Sequence, residues 1–308
     1  MRHFKKALLS SPSALLVAAK AYSKRFGERV YLNSDGTWVV ARRESEVWLP
    51  PNQGAYVFSV IREFDYYFTS VEPEVLGRRC VVDCTRPRVQ HIRGMEEPIL
   101  ITGLPEPLET NAVYVRALNL PEGGVVIDAG AYCGASSIMF SDLVGPSGTV
   151  VSIEPDPRNF EALERNTRDR GNILRFKGAL WAEDVELSFA AEANMGSAVG
   201  EGRPGAEVVS VKGYSPTELV QSLSLTRLDG IKLDIEGSEV EVIPALEPIV
   251  REFSPRLIFE LHDVGRHAVK NIFAAIDLFG YEVEQIQQSE MERFHLYSAW
   301  RREPRVPG

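Results

Sequence analysis

Two kinds of hydrophobic pattern divide the chain near Pro121. Before it, short apolar runs separated by polar turns predict an irregular α+β region, which includes a hairpin around the turn at residues 33–36. After it, apolar strands alternate regularly with amphipathic helices, which predicts repeated βα units and a parallel, doubly wound sheet. We therefore expect an N-terminal α+β cap for substrate recognition at residues 1–120 and an α/β domain at residues 121–303.

The α/β domain is predicted to contain five parallel strands and a C-terminal hairpin. The strands are expected at residues 125–128, 149–154, 173–176, 231–235 and 256–262, with helices at residues 135–143, 157–170, 237–250 and 268–278. Two further runs, at residues 281–284 and 296–300, have no helix between them, so the last strand should be antiparallel. Paired strands at residues 185–189 and 207–211 enclose a glycine-rich segment, interpreted either as a mobile loop over substrate or as an exposed hairpin tip.

A glycine-punctuated turn follows the first strand of this domain. Asp128 ends the apolar run, Gly130, Ala131 and Gly134 follow it, and the next strand ends at Glu154. This βαβ pattern is typical of nucleoside-binding sites in which the second carboxylate accepts the ribose hydroxyls. A carboxylate at Asp128 repels the pyrophosphate of a dinucleotide but favours an ammonium and a sulfonium, so it favours S-adenosylmethionine (SAM). The amides of Gly130 and Ala131 are expected to meet the methionine part of SAM, and Gly134 should let the next helix approach closely.

Charged residues also stand at the ends of the fourth and fifth strands. Lys232, Asp234 and Glu236 alternate with apolar residues and are therefore expected on one side of the fourth strand. Charges in a central parallel strand are costly unless they are paired or functional, which leaves a Lys232–Asp234 ion pair or an active site. In the second case Asp234 lies beside the methyl group and the acceptor, and Lys232 fixes or polarises it. His262, on one face of the fifth strand with Glu260, is the candidate general base.

The sequence contains no pattern that demands a metal. The carboxylates and the histidine at the ends of the fourth and fifth strands could hold a divalent ion, which would lower the pKa of a bound hydroxyl. No motif requires that ion, and the three cysteines lack a zinc-binding spacing, so no metal site is predicted. Cys133 has no evident base beside it and is interpreted as a space-filling residue.

Several of these segments resemble the FkbM family of SAM-dependent methyltransferases, over roughly residues 123–300. The most specific motif is the run at residues 232–239, which reads Lys-x-Asp-x-Glu-Gly-x-Glu. Residues 127–134, 153–155 and 255–262 also match, although Tyr132 and Cys133 precede the last turn glycine where the family often has Asn-x-Gly. The resemblance implies a Rossmann-like class I methyltransferase sheet, mostly parallel with an antiparallel last strand. It also implies SAM as the methyl donor and hydroxyl groups of natural products or sugars as common acceptors.

The residues and the resemblance together select the site candidates. Ala179 and Leu180 are included because they follow the third strand, where adenine is usually enclosed. The candidates for cofactor binding are Asp128, Gly130, Ala131, Gly134, Glu154, Pro155, Ala179, Leu180 and Asp234. The catalytic candidates are Asp234, His262, Lys232 and Glu236.

Composition and charge narrow the function further. The chain has 308 residues, 44% of them hydrophobic, which is enough for one large domain or two smaller ones. The net charge of −9 argues against a nucleic-acid partner, and the absence of a long apolar run or a signal peptide predicts a cytoplasmic protein without a membrane span. We expect an O-methyltransferase that acts on a hydroxyl of a small natural product, a sugar or a lipid-linked glycan. A nicotinamide-dependent oxidoreductase and a non-catalytic SAM-binding module are the alternatives, and homo-oligomerisation is left open.

Overall fold

The chain divides into two units, Met1–Leu108 and Glu109–Gly308, each with its own sheet. The computed structural model describes residues 11–106, 108–193, 196–200, 207–262, 264–286 and 295–302. This division lies about a dozen residues before the expected boundary at residue 120. The difference is one helix, whose Tyr114 and Leu118 pack in the core of the second unit against residues such as Val126.

The first unit is an irregular α+β arrangement with a five-stranded sheet in the order β1-β2-β3-β5-β4 and a separate β6-β7 pair. Its elements are α1 (Pro12–Ser23), β1 (Arg29–Leu32), β2 (Trp38–Arg42), β3 (Ser45–Leu49), a 3₁₀ helix (Pro51–Tyr56), α2 (Val57–Arg62), α3 (Phe64–Ser70), β4 (Glu74–Leu76), β5 (Arg79–Asp83), β6 (Arg88–Gln90) and β7 (Ile99–Ile101). The predicted hairpin is confirmed, because β1 and β2 pair antiparallel with Arg29 opposite Ala41. Ser11 caps α1 by accepting a hydrogen bond from the amide of Ala14.

The second unit is built around a seven-stranded sheet. Its main elements are α4 (Leu108–Leu118), β8 (Val125–Ala129), α5 (Ala135–Val144), β9 (Thr149–Glu154), α6 (Pro157–Thr167), β10 (Ile173–Lys177), β15 (Gly230–Leu233), α8 (Glu239–Ala245), α9 (Glu247–Phe253), β16 (Arg256–Leu261), α10 (Arg266–Leu278), β17 (Tyr281–Ile286) and β18 (His295–Arg301). The order is β10-β9-β8-β15-β16-β18-β17, and β18 runs antiparallel to both neighbours while the other pairs are parallel. The structure thus confirms the predicted class I methyltransferase sheet.

Alternate residues of the central strands supply two separate cores. Val126, Val150 and Ile258 belong to one buried cluster. Ile127 and Leu257 belong to the other cluster, on the opposite face of the sheet. Because helices cover both faces of a parallel sheet, its strands appear in the sequence as almost continuous apolar runs. This explains why the strands could be located from hydrophobicity alone.

The structure differs from the predicted elements around residue 234. β15 ends at Leu233, so the prediction of a strand to residue 235 is wrong at its end. Glu236 adopts a left-handed backbone with φ of 52°, and such a residue interrupts the alternation of a strand. The single helix predicted at residues 237–250 is instead two helices, α8 and α9, which meet at Leu246 after Pro244.

A four-stranded insertion lies between β10 and β15. It consists of β11 (Ala179–Leu180), β12 (Glu186–Ala191), β13 (Ala198–Val199) and β14 (Glu207–Tyr214), and it is followed by helix α7 (Pro216–Ser222). β12 and β14 pair antiparallel, which confirms the predicted pairing. Residues 194–195 and 201–206 of the glycine-rich segment lie outside the described residues. The loop and the hairpin-tip interpretations therefore both stay predictions.

Within the described part of the chain, no helix has the length and the hydropathy that crossing a membrane requires.

Candidate active site

A buried ion pair joins the neighbouring strands β8 and β15. The strand register places Lys232 directly opposite Asp128, and the Lys232 Nζ lies 3.2 Å from the Asp128 Oδ1. The two side chains are 1% and 0% exposed. Lys232 also donates a hydrogen bond of 2.7 Å to the carbonyl oxygen of Gly130. The sequence-based pair with Asp234 is the longer contact, at 4.0 Å, so Asp128 is the main partner of Lys232.

Hydroxyl groups enclose the other oxygen of Asp128. Ser136 and Ser137, at the start of α5, donate to the Asp128 Oδ2 over 2.7 and 2.6 Å. The Ser152 hydroxyl in turn donates to that of Ser137. The charge of Asp128 is therefore balanced by Lys232, which removes the electrostatic argument that favoured a cationic ligand at this carboxylate. Its position instead supports a role in holding the glycine turn.

The glycine turn packs closely against the neighbouring chain segments. Gly130 has a φ of 77°, and a Cβ there would lie 1.8 Å from the carbonyl oxygen of Asp234. The amides of Gly130 and Ala131 both donate to the carbonyl oxygen of Ile153 at 3.0 Å, so this arrangement commits them to the sheet rather than to a ligand. At Gly134 the close approach is that of Leu163 in α6, 2.8 Å from an added Cβ.

Replacing Gly130 with alanine should destabilise the second unit. The positive φ alone costs more than about 1 kcal/mol for a residue with a Cβ, and the Asp234 carbonyl must also move. Gly171→Ala is the matched control, because nothing lies within 4 Å of an added Cβ there. Urea unfolding of both variants measures the effect. Equal stability of the two would contradict the packing described here.

Glu154 ends β9 as a buried carboxylate held in one orientation. Its Oε2 accepts the amide of Tyr132 at 2.8 Å, and its Oε1 accepts the amide of Asp156 at 3.0 Å. The Asn159 amide group lies 3.4 Å from the same Oε1. Burial raises the pKa of Glu154 to about 8, although the amides of Asp156 and Tyr132 act in the opposite direction. The carboxyl group therefore holds its proton near neutral pH.

The raised pKa of Glu154 predicts a pH-dependent stability. Because the folded protein binds this proton more tightly than the unfolded chain, the stabilisation is complete below about pH 4.5 and is lost as pH rises to about 8. The free energy of unfolding of the wild type, minus that of Glu154→Gln, should fall across this interval. Urea titrations of the ligand-free proteins between pH 4.5 and pH 9 measure that difference, and a flat difference would refute the assignment.

Four carboxylates surround the imidazole of His262, just beyond the end of β16. Its Nδ1 lies 3.0 Å from the Oε1 of Glu239, a fully buried side chain. Its Nε2 lies 3.5 Å from Glu236, 3.7 Å from Glu260 and 3.9 Å from Asp234. The candidates Asp234, Glu236 and His262 thus meet as predicted, although the first two lie beyond β15 rather than in it. We call these five side chains the His262 cluster.

The carboxylates change the proton affinities within the His262 cluster. Burial lowers the pKa of His262, but hydrogen bonds to Glu236 and Glu239 outweigh it and raise the pKa well above its usual range. The pKa of Glu260 is also raised well above its usual range, by burial and then by the charge of Asp234. These contacts favour the protonated form of His262, which balances part of the negative charge and cannot act as the general base that the sequence suggested.

The sequence interpretation missed two members of this region. The hydroxyl of Tyr114 lies 3.4 Å from both the Asp234 Oδ2 and the Glu260 Oε2, and the Lys232 Nζ lies 5.4 Å from the centre of its ring. Tyr114 belongs to α4, which comes before the first strand of the sheet in the chain. No local sequence pattern identifies Tyr114 as a site residue. Glu239 is the last residue of the Lys-x-Asp-x-Glu-Gly-x-Glu run, and its place in that motif is the sequence feature that could have identified it as a site residue.

The remaining cofactor candidates are Pro155, which follows β9 in the chain, and Ala179 and Leu180, which follow β10. Pro155 follows Glu154 and is half-buried. Ala179 and Leu180 form β11, in which Ala179 pairs with Gly213 of β14. The side chain of Leu180 packs in the hydrophobic core, and Ala179 is also buried. Their role in binding stays a prediction.

Comparison with known proteins places the chain among methyltransferases. Residues 128–283 match the model of the methyltransferase FkbM domain. The chain is 27% identical over 156 residues to the hexuronic acid methyltransferase AglP of Haloferax volcanii, and this match covers 50% of the chain and 62% of that protein. The chain thus spans less than two thirds of the length of this curated relative.

Solved structures of methyltransferases are also similar at low sequence identity. The methyltransferase FkbM from Methylobacillus flagellatus KT is 13% identical with a TM-score of 0.41, over 93% of this chain and 59% of that chain. The fibrillarin of Aeropyrum pernix, solved with natively bound S-adenosyl-L-methionine, is 15% identical with a TM-score of 0.41, over 88% and 97% of the two chains.

The family model covers about half of the chain and includes the main candidate residues of the site. Asp128, Glu154, Asp234 and His262 all lie within the matched residues 128–283. This match favours a methyltransferase over the nicotinamide-dependent oxidoreductase that the sequence had left as an alternative. The chain belongs to the FkbM family of methyltransferases.

Proposed function

We propose that the protein transfers the methyl group of SAM to a hydroxyl of a sugar, a lipid-linked glycan or a small natural product. The observation that carries this proposal is the placement of Glu154, the glycine turn, Asp234 and His262. They stand at the carboxyl ends of the four adjacent strands β9, β8, β15 and β16. In open α/β sheets this edge is where ligands bind.

The residues at this edge fit the nucleoside part of SAM. Two backbone amides hold one lone pair on each oxygen of Glu154, which fixes the carboxylate at the end of β9. The Asn159 side-chain amide is a third donor, 3.4 Å from one of these oxygens. An ionised carboxylate accepts about four hydrogen bonds, so about one position remains for a ribose hydroxyl. The absence of a side chain at Gly130 keeps the turn close to the Asp234 backbone, next to the His262 cluster.

The His262 cluster is suited to bind the acceptor and to receive its proton. SAM, when bound, supplies an electrophilic methyl group on a sulfonium. Asp234 and Glu236 have side chains that are 18% and 30% exposed, so they are the carboxylates of the cluster that an acceptor hydroxyl can reach. We assign to an oxygen of Asp234 the hydrogen bond that aligns the hydroxyl and takes its proton as the oxygen–carbon bond forms and the carbon–sulfur bond breaks. Tyr114 holds the other side of Asp234.

The relative AglP narrows the acceptor that should be tested first. Its name describes a hexuronic acid methyltransferase, and its match to this chain covers 156 residues at 27% identity. We therefore propose a hydroxyl of a hexuronic acid or a related sugar as the first acceptor class, with transfer to oxygen.

Calorimetry with SAM and with NAD tests the cofactor, and transfer of labelled methyl groups tests the reaction. We expect saturable binding of SAM, no binding of NAD, and label in uronic acid glycosides but not in their per-O-methylated forms. Saturable binding of NAD without a response to SAM would refute the cofactor assignment. Binding of SAM without transfer to any hydroxyl compound in a broad sugar and natural-product panel would refute the proposed O-methyltransferase activity.

A further inference from the structure

We propose that Asp234, Glu236 and His262 form a binding site for one divalent metal ion, with Mn²⁺ as the probe. Each side chain offers one ligand atom, and these three atoms lie within 4.8 Å of one another. Binding of the ion follows from these residues alone. Its role in catalysis rests on the function proposed above.

The orientation of the imidazole is the first argument for this site. The buried Glu239 carboxylate engages the Nδ1 of His262, so the Nε2 points toward the oxygens of Glu236 and Asp234. Histidines that bind metals almost always use their second nitrogen for such an outer contact, often to a carboxylate. Glu239 therefore acts as a positioning residue that presents the Nε2 to the ion.

The charge balance of the His262 cluster is the second argument. Asp234, Glu236, Glu239 and Glu260 all lie within 4 Å of one imidazole. Among the described residues, Lys232 is the other cationic group in contact with these carboxylates, and it lies 4.0 Å from Asp234. Lys232 is closer to Asp128, at 3.2 Å, and it also donates a hydrogen bond to the carbonyl oxygen of Gly130. Partly buried carboxylates in such excess favour a further positive charge. A divalent ion supplies two positive charges in exchange for the proton that the His262 Nε2 releases on binding it, a net gain of one.

The ligand types and distances indicate which ion fits. One imidazole nitrogen and two carboxylate oxygens suit a first-row divalent ion such as Mn²⁺ better than Ca²⁺, which prefers oxygen ligands throughout. The Nε2 of His262 lies 3.5 and 3.9 Å from the oxygens of Glu236 and Asp234. Neighbouring ligand atoms of an octahedral ion with bonds of about 2.1 Å are roughly 3 Å apart. The three ligand atoms lie within 4.8 Å of one another, so approaches of up to about 2 Å would complete three ligand positions and leave the others open.

The acceptor hydroxyl is expected to bind at an open coordination position of the ion. A hydroxyl that coordinates a divalent ion loses its proton more readily, because the ion stabilises the alkoxide that develops as the methyl group arrives. Asp234 and Glu236 are the more exposed members of the cluster, so an acceptor can reach the ion from their side. The ion would orient the acceptor oxygen, and Glu260, whose side chain is 9% exposed, would remain a buried carboxylate of the cluster.

Titration of the ligand-free full-length protein with Mn²⁺, followed by electron paramagnetic resonance, tests the site without any catalysis. We expect one bound Mn²⁺ per chain and at least tenfold weaker binding in Asp234→Asn and in Glu236→Gln. Glu239→Gln should weaken binding by about 10- to 100-fold, because it removes the charge beside the His262 Nδ1, while the glutamine oxygen can still accept the amide of Ile235. Glu241→Gln is the matched control, since Glu241 is an exposed residue of the same helix, and it should bind as the wild type does.

The outcomes separate this proposal from the proposed function. Absence of saturable Mn²⁺ binding, or equal affinity in the wild type, Asp234→Asn and Glu236→Gln, overturns the metal site. Binding of SAM and methyl transfer that persist after treatment with a chelator would leave the proposed function standing and remove the catalytic role of the ion. Mn²⁺ binding that depends on these residues in a protein that does not bind SAM supports the metal site and refutes the proposed function.

Discussion

Lys232→Met should lower the free energy of unfolding by about 3–5 kcal/mol, the typical cost of removing one partner of a buried ion pair. The substitution leaves the carboxylate of Asp128 without the ammonium 3.2 Å away, and both side chains are fully enclosed. It also removes the hydrogen bond to the carbonyl oxygen of Gly130. The loss therefore affects the ion pair and the glycine turn together. Urea unfolding, with the slope of the transition checked for constancy, measures it.

A double variant distinguishes the effect of losing the ion pair from the effect of losing the packing of the Lys232 side chain. In Lys232→Met/Asp128→Asn the buried charge is gone, while the asparagine side-chain oxygen can still accept from Ser136 or Ser137. This double variant should be more stable than the sum of the single variants predicts, by about 1–3 kcal/mol. Lys270→Met is the control, because Lys270 is exposed on α10 and should change stability by less than about 0.5 kcal/mol. Additive effects in the double variant would show that Lys232 and Asp128 are not coupled.

Glu154→Ala and Asp234→Asn should separate cofactor binding from turnover. Removing the Glu154 carboxylate should weaken SAM binding by about 100-fold, since a hydrogen bond to a charged group contributes about 1.5–3 kcal/mol and one ribose hydroxyl is expected to use it. Asp234→Asn preserves the shape of the site but not its basicity. It should lower kcat by about 10²–10⁴-fold, with a change in SAM affinity of only a few fold.

Both variants require measurement at a pH where Glu154 is ionised in the wild type. Its pKa is about 8, so calorimetry and initial rates at pH 9 give the full effect of the substitution. Glu164→Ala in α6 serves as the control for removal of a carboxylate, because Glu164 is exposed. The assignment of roles fails if Glu154→Ala binds SAM normally, or if Asp234→Asn loses binding and turnover to the same extent.

The main elements of the second unit could be predicted because they are governed by local hydrophobicity. β9 was expected at residues 149–154 and is observed with those bounds. The antiparallel β17 and β18 followed from two apolar runs without a helix between them. The errors occur where a backbone conformation overrides the hydrophobic pattern. The left-handed Glu236 lies beyond β15, and Pro244 lies where the predicted helix divides.

The His262 cluster was only partly predictable. Asp234, Glu236 and His262 were expected together because parallel strands place their carboxyl ends at one edge of the sheet. Tyr114 was missed, since α4 is more than 100 residues from Asp234 in the chain and only packing brings them within 3.4 Å. Tyr114 reaches Asp234 because it lies on the buried face of α4. No sequence motif around Tyr114 predicts which face of that helix is buried.

The sequence by itself determined the sheet, the glycine turn and the strand ends that carry the charged residues, because hydrophobic periodicity and turn chemistry act over a few neighbouring positions. Only the tertiary structure decided how those charges are paired. Lys232 stands two residues from Asp234 in the chain, but strand register places it opposite Asp128, 104 residues away. Burial of that pair neutralises Asp128 and leaves Asp234 to the His262 cluster, since the strength of an interaction between charges depends on distance and solvent exposure rather than on separation along the chain.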